Sequence, residues 1–243
     1  MDAFRITVAG DSALNIEFGC EIRPETGALV RAAAKKLAEN PIAGVTELLP
    51  TFCSLMVCYD PLALGFDELS ATLTEQLASL RPETGQSKTV VQIPVCYGGA
   101  FGPDLETVAQ HAGLTQDEVV AIHSGHDYLI DMLGFLPGFA YLGGLDPRLH
   151  TPRLATPRTV IEAGSVGIGG AQTGIYPIAS PGGWQLIGRT PVRPYDPNRA
   201  KPILYQAGDY LRFIPIDEAE YRTIEQQIAQ GTYQYRIETE AAR

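Results

Sequence analysis

The residues able to do chemistry in this chain crowd between positions 123 and 184. Arg148, Arg153 and Arg158 are spaced five apart, and each directly follows a proline. Proline fixes the local backbone, and a guanidinium fork matches a carboxylate or phosphate, so such segments can present anion-binding groups. They can equally pair with acids of the same chain. Arg153 and Arg158 are favoured as ligand groups because they lead directly into GSVGIGGAQTGIYPIASPGGW, residues 164–184, which holds seven glycines and the only tryptophan. Upstream, His123 and His126 are three positions apart. Zinc would need at least one further ligand, so His123 is weighed as an acid/base or hydrogen-bonding group, or as a helix-capping histidine.

The glycine run is not a phosphate loop of known pattern. It has no Gly-Lys-[Ser/Thr], and Gly167-x-Gly169 is followed by Gln172 rather than glycine. Thr-Gly-Ile-Tyr-Pro then cannot open a long helix. Two roles remain. The glycines can turn barrel corners, or Gly167, Gly169 and Gly170 can bring backbone amides to an anion. Gln172, Thr173, Tyr176, Ser180 and Trp184 put hydrogen-bonding and stacking groups among them, the composition of a ligand-lined wall. GFLPGFAYLGGL, residues 134–145, is either a tight hairpin with its aromatics in the core or an apolar partner-binding surface through Pro137, Gly138, Phe139 and Tyr141. There is no G-x-S-x-G elbow, so a self-sufficient hydrolase is not indicated.

The elements that must position these groups fall into two halves. Residues 1–86 read β-β-α-β-β-α: FRITVAG and ALNIEFG around a turn at Gly10–Ser12, a helix from Pro24 to Asn40, two strands broken at Pro50-Thr51, and a helix with Phe66, Leu69, Leu73 and Leu77 on one face. This pattern predicts a small α+β unit with helices on one side of an antiparallel sheet. The polar segment RPETGQSK, 81–88, marks the boundary. Residues 87–243 begin with the strand TVVQIPVCY and the loop GGAFGPD. Two short helices follow, Leu105–Ala112 and Asp117–Ser124, the second with a Thr115/Glu118 capping signature. Beyond residue 130, short apolar runs punctuated by Gly and Pro predict a β-barrel or sandwich, closed by a C-terminal helix.

The 243 residues carry a formal charge of −10, with 45% hydrophobic and 19% charged side chains. That is a folded, acidic protein. Its charge argues against nucleic-acid binding and against an anionic membrane surface. The absence of a long apolar run or signal-like N-terminus leads to the expectation of a cytoplasmic protein, its four cysteines reduced and buried.

Several ordered stretches carry a family resemblance: VCYGGAFGPDL, His123-Ser124, GFLPGFAYLGGL, the TPR…PR segment at 151–158, AGSVGIGGAQTGIYP, SPGGWQLIGRTP and GDYLRFIP. Over roughly residues 4–216 the chain resembles the B subunit of prokaryotic 5-oxoprolinase. This family is also known as the first subunit of allophanate hydrolase and as the Kip-type inhibitor of a sporulation histidine kinase. The resemblance implies a small α+β sandwich domain followed by a cyclophilin-like antiparallel β-barrel. It implies a component inactive alone that works with the A subunit of 5-oxoprolinase and with the C subunit, itself built on a related barrel. Together they use ATP to cleave the ring amide of 5-oxo-L-proline to L-glutamate. The alternatives within the family are a protein that binds and blocks a histidine kinase and a component of a urea-carboxylase-type amidolyase. Prolyl isomerisation is discounted, because a shared fold does not carry a site. On the leading reading, Arg153 and Arg158 hold the substrate carboxylate or a phosphate. Gln172 and Thr173 bond the amide, with the Gly167–Gly170 amides beside them. Tyr176 and Trp184 line the pocket, His123 carries a proton, and no metal is used.

Overall fold

The first half of the chain alternates strands and helices: β1 (Arg5–Val8), β2 (Ala13–Glu17), α1 (Pro24–Glu39), β3 (Val45–Pro50), β4 (Ser54–Tyr59) and α2 (Phe66–Leu77). The strands form one antiparallel sheet in the order β1-β2-β4-β3. Leu14 and Ile16 of β2 and Leu55 and Val57 of β4 sit two residues apart, so all four point to one face. There they meet Val30, Ala33 and Leu37 of α1 and Leu69, Leu73 and Leu77 of α2 in a single core. The i, i+4 leucine ladder of α2 is what buries that helix.

Residues 4–21, 23–81 and 88–240 are described by this structure, a computed structural model. The chain divides into two units, Met1–Gln86 and Ser87–Arg243. Most of the polar segment at 81–88 lies outside the described residues.

The second unit opens with the long strand β5 (Lys88–Tyr97), then α3 (Leu105–Ala112) and α4 (Gln116–Ser124). Gly113, with φ of 68°, ends α3 in the left-handed conformation that glycine adopts without a Cβ penalty. Thr115 and Glu118 form a complete capping box at the start of α4. Next come β6 (Asp127–Leu133), β7 (Ala140–Gly143), β8 (Arg158–Ile161), β9 (Ser165–Gly169), β10 (Gln172–Ile175), β11 (Ser180–Gly182), β12 (Gln185–Arg189), β13 (Tyr210–Ile216), α5 (Glu218–Ala229) and β14 (Ile237–Glu240).

Seven strands close a barrel in the order β12-β9-β10-β7-β6-β13-β5, with β5 returning to β12. Every pairing in the ring is antiparallel except β13 with β5, which run parallel. The barrel is thus mixed rather than purely antiparallel. The C-terminal extension is more than a helix, because β14 follows α5 and pairs with the first half of β5. Alternate residues fill the lumen, among them Val91, Ile93 and Val95, Tyr128 and Ile130, Val166 and Ile168, and Leu211 and Phe213. Leu105, Val108 and Val119 of the two helices join the same cluster.

None of the four cysteines is in a disulfide. Only Cys96 is buried, and Cys20 is exposed, contrary to the expectation that all four are core thiols. Among the described residues no helix is long and apolar enough to cross a membrane.

Candidate functional site

The glycine run lies on both faces of the barrel wall at once. Along β9, Val166 and Ile168 enter the lumen. Gly167 and Gly169 therefore face outward, and Trp184 covers them. A Cβ on Gly169 would lie 2.3 Å from Trp184 Cδ1 and Nε1, and one on Gly174 would lie 3.3 Å from Cζ3. These glycines are a floor on which the indole lies flat. Phe139 and Tyr176 meet that indole edge-on at 5.7 and 6.0 Å between ring centroids. With Ile161 and Leu186 they make a second apolar cluster outside the barrel. Burial pushes the Tyr176 hydroxyl up despite Arg153 and Arg158 nearby.

The amides of the run are engaged elsewhere. β9 is laddered to β10 on one side and β12 on the other, so Gly167 and Gly169 sit in an interior strand. Gly170, with φ of 65°, begins the two-residue turn between β9 and β10, and its N–H donates to Thr151 O at 2.8 Å. An anion nest needs unpaired amides converging on one point, and a laddered strand does not supply them. Gln172 is half-buried at the first position of β10, opposite Gly169.

The three arginines part company. Arg148 is bound to Asp146 through two nitrogens at 3.0 and 2.7 Å. Arg158 donates to Asp104 Oδ1 at 2.7 Å and to Trp184 O at 3.3 Å. Asp104 is buried, and its other oxygen accepts the Leu186 N–H at 2.6 Å. This clamp ties the loop after β5 to β8 and β12. Arg153 is exposed like Arg148, but no described acid lies beside it. Its guanidinium lies over the Trp184 ring, 6.0 Å from the centroid, and no ion pair holds it among the described residues. The site therefore presents one uncompensated cation beside an aromatic cluster, suited to a small carboxylate. Arg158→Ala should lower stability by about 1–3 kcal/mol. That is less than the loss of a fully buried partner, because the Arg158 side chain is 30% exposed. Arg153→Ala should leave stability within about 0.5 kcal/mol. Paired urea titrations of the two variants check this contrast.

His123 lies inside the barrel, fully buried in the last turn of α4 and stacked on Phe213 at 4.6 Å. Its Nδ1 is 2.8 Å from the Tyr97 hydroxyl, and its Nε2 is 2.8 Å from Thr173 Oγ1. Thr173 donates its only hydroxyl proton to Gly167 O at 3.0 Å. Its oxygen must then accept from His123 Nε2–H, which leaves Nδ1 to accept from Tyr97. The result is one directed chain, Tyr97 to His123 to Thr173 to the Gly167 carbonyl. Burial, followed by the nearby His126, lowers the His123 pKa to about 3, so the ring is neutral. His126 lies outside α4 and bonds Gly144 O. The two histidines do not share a ligand, and among the described residues no group of three or more His, Cys, Asp or Glu could hold a metal.

In the loop between β6 and β7, Pro137 is exposed while Gly138 and Phe139 are buried and Tyr141 is half-buried. Tyr205 donates its hydroxyl to Gly138 O at 2.8 Å. Most of the apolar residues named from the sequence thus face inward.

Comparison with known proteins decides the family. The family described as "Carboxyltransferase domain, subdomain C and D" matches residues 4–205. The 5-oxoprolinase B subunit of Bacillus subtilis is 43% identical over 234 residues, covering 92% of this chain and 98% of its own length. The chain belongs to the 5-oxoprolinase B-subunit family. The solved structure of TTHA0988 is 36% identical with a TM-score of 0.76, covering 84% of this chain and 40% of that one. The urea amidolyase of Kluyveromyces lactis superposes with a TM-score of 0.79 at 20% identity, over 97% of this chain and 16% of that one, and shares the fold.

Two groups of this B-subunit family member had no individual signal in the sequence. Asp104 is the one acid in GGAFGPD, and nothing in the sequence linked it to a residue 54 positions away. Tyr97 ends β5 like any strand aromatic. Only closure of the barrel brings it to His123.

Proposed function

We propose that this chain is the B subunit of an ATP-dependent 5-oxoprolinase, opening the ring amide of 5-oxo-L-proline to L-glutamate together with the A and C subunits. The observation that carries the reading is the match to the B. subtilis 5-oxoprolinase B subunit across almost the whole of both chains. A lactam carbonyl is a weak electrophile, and its opening requires activation, which ATP supplies when bound. The glycine run does not fit a nucleotide phosphate, because its strand is laddered on both sides. On this reading ATP is held by another component of the enzyme.

This chain's own contribution is recognition. Arg153 pairs with the substrate carboxylate over the edge of the Trp184–Tyr176–Phe139 cluster, and Gln172 offers amide groups from the adjoining strand. His123 acts from behind the wall by holding Thr173 and the Gly167 carbonyl in place. It is neutral and sealed from the substrate, so it is a positioning residue rather than a proton carrier.

The test is reconstitution. ATP-dependent glutamate formation should need all three components, and turnover by the lone chain would overturn the reading. In the reconstituted enzyme, Arg153→Ala should raise KM for 5-oxoproline about ten- to a hundredfold, the loss of one charge-assisted bond. Arg153→Lys should recover part of it, since the charge survives without the fork. An unchanged KM in both variants removes Arg153 from the site.

A further inference from the structure

The outer wall of β5 and β13, away from the glycine floor on β9 and β10, carries a cavity of about 220 Å³ that the proposed reaction does not use. Val91, Ile93 and Val95 of β5 and Leu211 and Phe213 of β13 enter the lumen, so Gln92, Pro94, Ile214 and Ile216 face outward. β14 pairs with β5 only up to Val91, Gln92 N–H donates to Arg236 O at 3.0 Å, and β12 joins β5 only at Cys96. Between these two strands, one edge of β5 has no strand beside it among the described residues. Alternate N–H groups of a strand point the same way, so that of residue 94 would face this gap, and proline has none. α5 turns Glu220, Thr223, Ile224 and Gln227 to the cavity, one face at helical spacing. Tyr233 and Arg236, from the segment that joins α5 to β14, complete the lining.

A helix face packed for burial alone is apolar, yet of these four α5 residues only Ile224 is apolar. The Glu220 carboxylate and the Arg236 guanidinium line the same cavity, and among the described residues neither is paired with the other or with a further charge. Burial pushes the Tyr233 hydroxyl up, Arg236 draws it back, and Tyr235 and then Glu220 push it further, so both charges lie within electrostatic reach of this one oxygen. Two opposite charges held apart around one small cavity match the two ends of a zwitterion, and Pro94, Ile214 and Ile216 supply an apolar floor. The volume is below the about 300–1,000 Å³ of drug-sized sites, which sets the ligand at the size of one amino acid. We propose that this cavity binds a free α-amino acid with an aliphatic side chain, its carboxylate on Arg236, its ammonium on Glu220 and its side chain over Pro94, Ile214 and Ile216. Such a ligand touches both the barrel and the C-terminal extension, so it ties α5 and the start of β14 to the wall they cover. The site is separate from Arg153 and Trp184 and does not depend on the 5-oxoprolinase reading.

The experiment is calorimetric titration of L-leucine into the full chain, with isocaproate and isoamylamine as probes that each lack one charged end. L-Leucine should bind with a Kd below about 1 mM, and each probe at least about tenfold more weakly. Arg236→Gln and Glu220→Gln alter exposed side chains, so the Tm of each free variant should stay within about 2 °C of the parent. Each should weaken L-leucine binding about ten- to a hundredfold. If L-leucine gives neither heat nor a rise in Tm at about 10 mM, the site is overturned. If it binds and neither variant weakens it, it binds elsewhere and the assignment falls. If isocaproate binds as tightly as L-leucine and Glu220→Gln changes nothing, the cavity takes a simple anion and the zwitterion is overturned. Tighter binding of L-glutamate than of L-leucine would overturn the aliphatic side chain.

Discussion

Between pH 7.5 and pH 5.0 the protein is expected to lose about 2 kcal/mol of folding stability through His123 alone. The ring titrates at about 3 in the folded chain because burial excludes its charged form, whereas an exposed histidine titrates at 6.5. Below 6.5 the unfolded chain takes up a proton that the folded chain refuses. Each pH unit then removes about 1.4 kcal/mol, so the full contribution is present above about 6.5 and declines until the folded ring protonates. Down to about pH 3 the loss reaches roughly 5 kcal/mol, comparable with the whole stability of many domains. The carboxylates act in a lower window. Hydrogen bonds from Arg148 hold Asp146 at about 2, and Arg212 before Lys88 lowers Asp127. Their stabilisation is present above the ordinary carboxylate range and is lost as pH falls through their folded values. The interval from 7.5 to 5.0 therefore isolates the histidine from these two acids. Urea titrations across it should show a clear downward slope for the parent. His123→Gln, less stable at pH 7.5 for want of ring stacking and one hydrogen bond, should show a slope reduced by about 1.4 kcal/mol per unit below about 6.5. An identical slope in both proteins would mean that His123 protonates in place.

Gly169→Ala is expected to destabilise the protein by about 1–3 kcal/mol or more and to change its tryptophan emission. The added Cβ would lie 2.3 Å from two indole atoms, well inside van der Waals contact. The indole cannot slide aside. Phe139 and Tyr176 close two of its edges, and Gly167 and Gly174 hold the strands beneath it at contact distance. The overlap must be relieved by lifting Trp184 from the floor, which exposes a ring now only 5% accessible. Trp184 is the only tryptophan, so fluorescence reports on this ring alone. Emission should shift to longer wavelength together with a lower midpoint in urea. Gly169→Ala combined with Trp184→Leu should recover part of the stability lost relative to Trp184→Leu alone, because the two sites share one space. Equal emission from Gly169→Ala and the parent would show that the floor has room to spare.

Much of the scaffold was legible before the structure. The i, i+4 leucines of α2, the alternation in β2 and β4, and the capping box at Thr115 and Glu118 are local patterns, and local patterns survive folding because each names its own neighbours. The ordered motifs also identified the family, since seven stretches in sequence leave few alternatives. The absence of a phosphate loop followed from spacing alone. What the sequence could not decide was which side of the wall each group faces and which groups meet across it. Arg153 and Arg158 look alike as Pro-Arg pairs, yet one overhangs Trp184 and the other is bound to Asp104, 54 residues earlier. His123 and Thr173, 50 residues apart, meet only because the barrel closes around the end of α4. Alternation along β9 and β10 sends Val166, Ile168, Thr173 and Ile175 inward and turns Gly167, Gly169 and Gly174 toward the indole. The glycine-rich composition says that something approaches closely. Only the register of two strands and the return of Trp184 onto them show that it is a ring of the same chain, because contact between distant residues depends on the path of the backbone between them.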